Sequence, residues 1–227
     1  MARRQARFTV RDLADIPWLR DHSADLWDTE LGDVPRGLLS SAVRCFASNG
    51  FHATTTRDIC EGVNLTPGAL YVHFPSKELV LFEIIRTGHE RALVYTRGPE
   101  VPTSTSSADR LRGIVSRHTE WHARHHVAAR VSQYELGSLG PEHYDDVLEL
   151  RHQTNSLFRD AVAGGVADGS FARVDVARVT RAILSLSIDL VRWYRLEGPD
   201  SPEQLGAFYA DLALTMVTHG GTPTVTD

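Results

Sequence analysis

Four histidines, His118, His122, His125 and His126, crowd around Trp121, and a spacing of four then three places the first three on one face of a helix. Imidazoles so spaced can share a metal ion, but only Glu120 stands near them as a carboxylate; a polar pocket lining or a solvated face is the competing reading. The two cysteines, Cys45 and Cys60, lie inside apolar helical patterns with no ligand-spaced partner, as expected of buried thiols in a reducing cytosol. No glycine-rich phosphate loop, nucleophile elbow or paired-carboxylate motif is present, so nothing points to an enzyme or to a bound cofactor. A different chemistry is offered between residues 54 and 79. There hydroxyls, an arginine, a tyrosine, a histidine and the chain's single lysine, Lys77, recur around two short helical patterns. Those residue types at helix starts suit phosphate oxygens.

The elements that position them read as helices throughout. Leu38, Leu39, Ala42, Val43 and Phe46 repeat at three and four, and Asn49-Gly50 supplies a C-terminal stop. Thr55 and Asp58 form a capping box that opens a second helix, which ends near Val63 because Asn64 tolerates positive φ. Thr66-Pro67 opens a third helix to about His73, and Ser76 caps a fourth that runs to about Arg97. Further helices are expected at about 108–139, 142–166, 175–196 and 202–218, with a Pro/Ser/Thr-rich loop at 98–107. The fold class is therefore all-α. A small three-helix head (34–80) joins a larger helical-bundle body (81–220), flanked by an extension (1–33) of no assigned role and a flexible tail (221–227).

A net charge of −5 argues against a protein that coats nucleic acid indiscriminately, since that requires many neutralised phosphates. It leaves room for a local basic face. Arg3, Arg4, Arg7 and Arg11 form a basic arm, Asp12 to Asp33 is acidic, and Arg36 to Lys77 is slightly basic. No run of about 18 apolar residues exists, so neither secretion nor a membrane is expected and the chain is placed in the cytoplasm.

Two short helices joined by the tight turn Asn64-Leu65 have the dimensions of a helix-turn-helix, although tight turns occur in any helical bundle. The stretch Thr54-Thr55-Thr56-Arg57-Asp58-Ile59-Cys60-Glu61, followed by Leu65-Thr66-Pro67-Gly68-Ala69-Leu70-Tyr71-Val72-His73-Phe74-Pro75-Ser76-Lys77-Glu78-Leu79, closely resembles the DNA-binding domain of the tetracycline-repressor family. The resemblance is nearly continuous from Leu38 to Leu79. Asn64 stands where the family usually has glycine, and the family offers no role for residues 1–33. The resemblance implies a ligand-responsive repressor that binds palindromic operator DNA as a homodimer. Its DNA-binding residues would be Thr56, Arg57, Thr66, Pro67, Gly68, Ala69, Tyr71, His73 and Lys77. Thr56 and Thr66 would donate to phosphate, Tyr71 and His73 would face phosphates or thymine methyls, and Lys77 would add a point charge. Gly68 and Ala69 would let the helix approach base edges. Arg57 has an alternative partner in Asp58 or Glu61, and Phe74 reads as core.

The last two helices (about 175–196 and 202–218) carry apolar residues on more than one face, as dimer-forming helices do. Segments such as Tyr134 to Leu139 and Arg192-Trp193-Tyr194 resemble a subgroup of the family that regulates fatty-acid and steroid catabolism and senses acyl-CoA thioesters. The candidate effector residues are Trp121, His125, Tyr134, Asp189, Arg192 and Trp193, with Arg192 either gripping CoA phosphates or simply solvated. A drug-like hydrophobic effector of an efflux or stress gene is the alternative.

Overall fold

The computed structural model describes residues 16–99 and 105–218; the basic arm and the tail fall outside them. Among the described residues there are α-helices and short 3-10 turns and no strand. They divide into two compact units, one ending at His89 but including His125–Val147, the other comprising Glu90–Arg124 and the chain from Leu148 onward.

The first unit contains three 3-10 turns (Pro17–Leu19, Ser23–Leu26, Thr29–Leu31), α1 (Asp33–Asn49), α2 (Thr56–Glu61), α3 (Pro67–His73) and the start of α4 (Lys77–Arg97). The chain returns to it with α6 (His126–Tyr134), a 3-10 turn at Leu136–Ser138 and the first residues of α7 (Pro141–Ala167). The predicted stripe of α1 is buried along its length, and Gly50, at φ 78°, ends the helix with its N–H donating to Phe46 O at 2.9 Å. Ile59 of α2, Leu70 of α3 and Leu81, Ile84 and Ile85 of α4 are fully enclosed, each worth about 1.5–3 kcal/mol over its exposed state. Cys45 and Cys60 are buried thiols outside any disulfide, and burial pushes the Cys60 thiol up.

The helix expected over 108–139 is two. α5 (Ser107–Arg124) stops and α6 begins at His126, with His125 between them at φ −115°, ψ 34°. The amides freed by the break are taken by side chains from far up the chain: Val127 N donates to Asp21 Oδ2 at 2.8 Å and Ala128 N to Ser23 Oγ at 3.2 Å.

The second unit is built on α5, the end of α4, the greater part of α7, α8 (Val176–Asp189) and α9 (Pro202–Thr218). Its core joins Leu111, Ile114 and Val115 of α5 to Phe158 and Val162 of α7, Ile183 of α8 and Ala210, Ala213 and Val217 of α9. The expected helix 175–196 ends early, at Asp189. A 3-10 turn (Leu190–Arg192) follows, with Tyr194 N donating to Leu190 O at 2.8 Å. That turn buries Tyr194, whose hydroxyl donates to Asp200 O at 3.1 Å, and leaves Trp193 half exposed.

α9 lies against α5 where Gly206 meets Ser116: a Cβ there would stand 2.7 Å from the Ser116 carbonyl oxygen. Backbone cannot rotate away as a side chain can, so Gly206→Ala should cost about 1–3 kcal/mol of stability. Denaturant unfolding of the purified variant measures this; an unmoved midpoint would show that α9 shifts freely along α5.

Candidate nucleic-acid interface

The pair α2 and α3 is held by its ends. Thr55 Oγ1 accepts from Asp58 N at 3.2 Å while Asp58 Oδ2 accepts from Thr55 N at 2.8 Å, completing the capping box. The connecting turn places Asn64 at φ 56° and closes with Leu65 N donating to Cys60 O at 2.9 Å. Side chains of α3 then divide cleanly. Leu70 and, just past its end, Phe74 point into the core, whereas Thr66, Pro67, Gly68, Tyr71 (54% exposed), Val72 (79%) and His73 face outward. Ala69 is half-buried between the two sets.

Thr66 occupies the N-cap position of α3, yet its hydroxyl makes no capping bond. A Cβ added at Gly68 would meet no heavy atom within 4 Å, so packing inside the head does not demand glycine there. Thr56 is the half-buried first residue of α2 and Arg57 is exposed. Arg57 forms no ion pair with Asp58 or Glu61 among the described residues. Val72, the most exposed of the large apolar side chains here, is absent from the sequence-based set. The signal for it was available: with Leu70 and Phe74 inward, helical spacing turns both Tyr71 and Val72 out.

Lys77 is engaged within the protein. Its ammonium donates to Phe51 O at 2.6 Å and Thr54 O at 2.7 Å and sits 4.1 Å from the centre of the Phe51 ring. Desolvation lowers its pKa, with the carboxylates of Asp58 and Glu135 opposing that shift. Two of the three ammonium donors are thus spent on the loop that leads into Thr55. Next to it, Glu78 accepts from Gly140 N at 3.0 Å and meets His143 Nδ1 at 2.9 Å, and the His143 ring stacks on Phe82 at 3.9 Å.

The candidate effector residues fall in both units. In the first, His125 is buried at the N-cap of α6, and Tyr134 is half exposed with the Arg130 guanidinium 5.0 Å from its ring centre. In the second, Trp121 packs beside Tyr95 (5.5 Å between ring centres), and Asp189 and Arg192 come together at 3.4 Å on the surface next to Trp193. The Tyr95 hydroxyl donates to Glu120 at 2.7 Å; burial first, and then that carboxylate, push its pKa up to about 12.

Sequence reasoning offered His118 as a polar lining residue but missed its partner inside this second unit. His118 Nδ1 lies 3.0 Å from Ser187 Oγ on α8, its ring edge-on to Phe158, and the buried hydroxyls of Thr119 and Thr180 have no hydrogen-bond partner among the described residues. The break at His125 divides the histidine cluster, leaving His118 and His122 on α5 and His125 and His126 beyond its end. Among the described residues, no group of three histidines, cysteines or carboxylates could hold a metal ion.

A short, outward-facing second helix locked by its partner into a three-helix core, in a chain whose remainder is helical, defines a helix-turn-helix regulator. The chain belongs to the tetracycline-repressor family: residues 38–84 match the family's N-terminal regulatory domain and residues 104–217 a tetracyclin repressor-like C-terminal domain. It is 34% identical over 184 residues to the HTH-type transcriptional repressor KstR2 of Mycolicibacterium smegmatis, covering 80% of this chain and 89% of that one. Among solved structures it is similar to a tetR-family regulatory protein from Rhodococcus RHA1, with 35% identity, a TM-score of 0.76 and coverage of 82% of this chain and 98% of that one. The ketosteroid transcriptional regulator KstR2 of Mycobacterium tuberculosis superposes with a TM-score of 0.75 at 29% identity, covering 82% of this chain and 96% of that one. AibR, solved with isovaleryl coenzyme A and operator DNA, shares the fold at 20% identity and a TM-score of 0.67, covering 82% of this chain and 98% of that one. The protein is a transcriptional repressor of this family, and not an enzyme.

Because the Lys77 ammonium ties down two loop carbonyls, Lys77→Met should remove about 1–3 kcal/mol of stability in the absence of any DNA. Urea unfolding of the apo protein reads this directly, and an unchanged midpoint would place the ammonium in solvent.

Proposed function

We propose that this repressor acts in the cytoplasm as a homodimer on a two-fold symmetric operator and is released by a small-molecule effector, an acyl-CoA thioester. The observation that carries the DNA half of the reading is the outer face of α3. Its small residue Gly68, its hydroxyl-bearing Thr66 and Tyr71 and the imidazole of His73 are exposed while Leu70 fixes the opposite face. In this reading α3 enters the major groove with Ala69 beside Gly68 at the base edges. Pro67 and Thr66 start the helix against phosphate, and Thr56 and Arg57 reach the backbone from α2. Lys77 contributes mainly by holding the loop before Thr55, with its remaining N–H directed to phosphate.

Dimerisation through α8 and α9 is supported by apolar and small residues that a single chain leaves outside: Ala182 and Leu186 of α8, and Ala207 and Phe208 (64% exposed) of α9. Adjacent major-groove faces are roughly 34 Å apart, so protection should fall on two half-sites separated by about one helical turn or a small multiple. Footprinting on the chain's own upstream region checks it; protection of one asymmetric half-site would remove the dimer.

The acyl-CoA reading rests on Arg192 beside Trp193 and on the coenzyme A ester held by the fold neighbour AibR. Trp121 and Asp189, in the same unit as Arg192, complete the proposed set. A hundredfold loss of operator affinity needs about 2.7 kcal/mol of coupling, and the same coupling must weaken effector binding to the DNA complex. Titrating acyl-CoAs of graded size, including steroid-derived ones, into an operator-bound sample should release the DNA, with free CoA and free acids inactive. Release by free acids as readily as by thioesters would remove Arg192 from phosphate binding; release by neutral drug-like compounds alone would favour an efflux or stress repressor.

A further inference from the structure

Residues 16–31, for which the family offers no role, are built into the DNA-binding unit at both ends. At one end they cap α6. Asp21 Oδ2 accepts from Val127 N (2.8 Å) and Ser23 Oγ from Ala128 N (3.2 Å), while Ser23 N donates back to Asp21 Oδ1 at 2.9 Å, so the two caps hold each other in place. His126 Nε2 lies 3.3 Å from Trp18 O, and the Arg130 guanidinium lies 5.6 Å from the Trp18 ring centre. At the other end the segment is fixed to α1. The Trp27 indole N–H donates to Ser40 Oγ at 2.7 Å, and Leu26 and Trp27 are 1% and 5% exposed.

The same short stretch therefore fastens the first helix of the head to the first turn of α6. α6 matters because of where the chain goes: residues 125–147 are covalently continuous at both ends with the other unit, at Arg124 and at Leu148. An operator read by two heads tolerates little freedom in the pose of each head, since every degree of freedom lost on binding subtracts from affinity. We propose that residues 16–31 are a positioning strap, which sets the pose of α1, α2 and α3 on α6 and so raises operator affinity without touching DNA.

Deleting the strap would strip Leu26 and Trp27 from the core and confuse loss of position with loss of fold. Point variants at its two ends avoid this. Asp21→Ala removes the cap on α6, Trp27→Phe keeps an aromatic ring but removes the bond to Ser40, and the double variant completes a cycle in the full-length chain. Binding to the footprinted operator fragment is measured by anisotropy across a salt series, with circular dichroism and unfolding curves confirming a folded sample. Each single variant should bind about three- to tenfold more weakly, the upper figure being about 1.4 kcal/mol. The slope of log K against log salt should not change, because no phosphate contact is lost. The double variant should be no weaker than the worse single variant, because either end alone releases the strap. Wild-type affinity in all three folded variants would overturn the proposal. So would a slope reduced by about one unit, which would mean direct phosphate contact. Multiplying effects would mean two unrelated local injuries.

Discussion

A helix of six residues is almost all ends. α2 has six residues and α3 seven, and since the first four N–H groups and last four carbonyls of any helix lack partners within it, these two elements owe their existence to what satisfies their termini. Five of the polar residues from Gly50 to Lys77 serve such ends. Thr54 Oγ1 sits 2.8 Å from Gly50 O, Thr55 and Asp58 exchange hydrogen bonds, Ser76 Oγ accepts from Leu79 N at 3.0 Å, and Lys77 gathers two loop carbonyls. What remains uncommitted by this requirement is the outer face of α3 and its flank, the surface proposed above to meet DNA.

The same constraint explains how legible the chain was. Boundaries set by a local signal were read closely: Gly50 after α1, Thr55 before α2, Pro67 opening α3, Asp175 accepting from Arg178 N at 3.0 Å at the start of α8, and Pro202 opening α9. The break at His125 was not legible. Its apolar period continues smoothly from α5 into α6, and the groups that cap the new helix, Asp21 and Ser23, are more than 100 residues away in sequence. Asp21 shows the limit well. Within the acidic run Asp12 to Asp33 it carries no mark that separates it from Asp25 or Asp28, and only the fold places it against an amide of α6.

The candidate site was legible to a similar depth. Spacing and resemblance pointed to α3 and to Lys77, because residue type and position are properties of the sequence. The partners of Lys77 are not. A lone lysine at a helix start reads as a charge offered to phosphate until the carbonyls of Phe51 and Thr54 and the ring of Phe51 are seen beneath it. The partner of His118 in the second unit escaped for the same reason. His118 stood out by its spacing from other histidines, whereas its partner Ser187 is one hydroxyl among many on an apolar helix.

The composition of the exposed face carries one more step. Thr66, Gly68, Tyr71, Val72 and His73 include no arginine, asparagine or glutamine, the side chains that grip a base edge through two parallel hydrogen bonds. Discrimination by such a face leans on single hydrogen bonds, on contacts with thymine methyls and on how closely the helix fits a groove of given width. Each of those decays steeply with displacement, whereas a long flexible arginine can follow its target. In the proposed role, a helix face without long flexible cations transfers the demand for precision from its contacts to its mounting. It is consistent with this that the head is fastened from several directions at once: by Lys77 to the loop before α2, by Glu78 to Gly140 and His143, and by Asp21, Ser23 and Trp27 to α6 and α1.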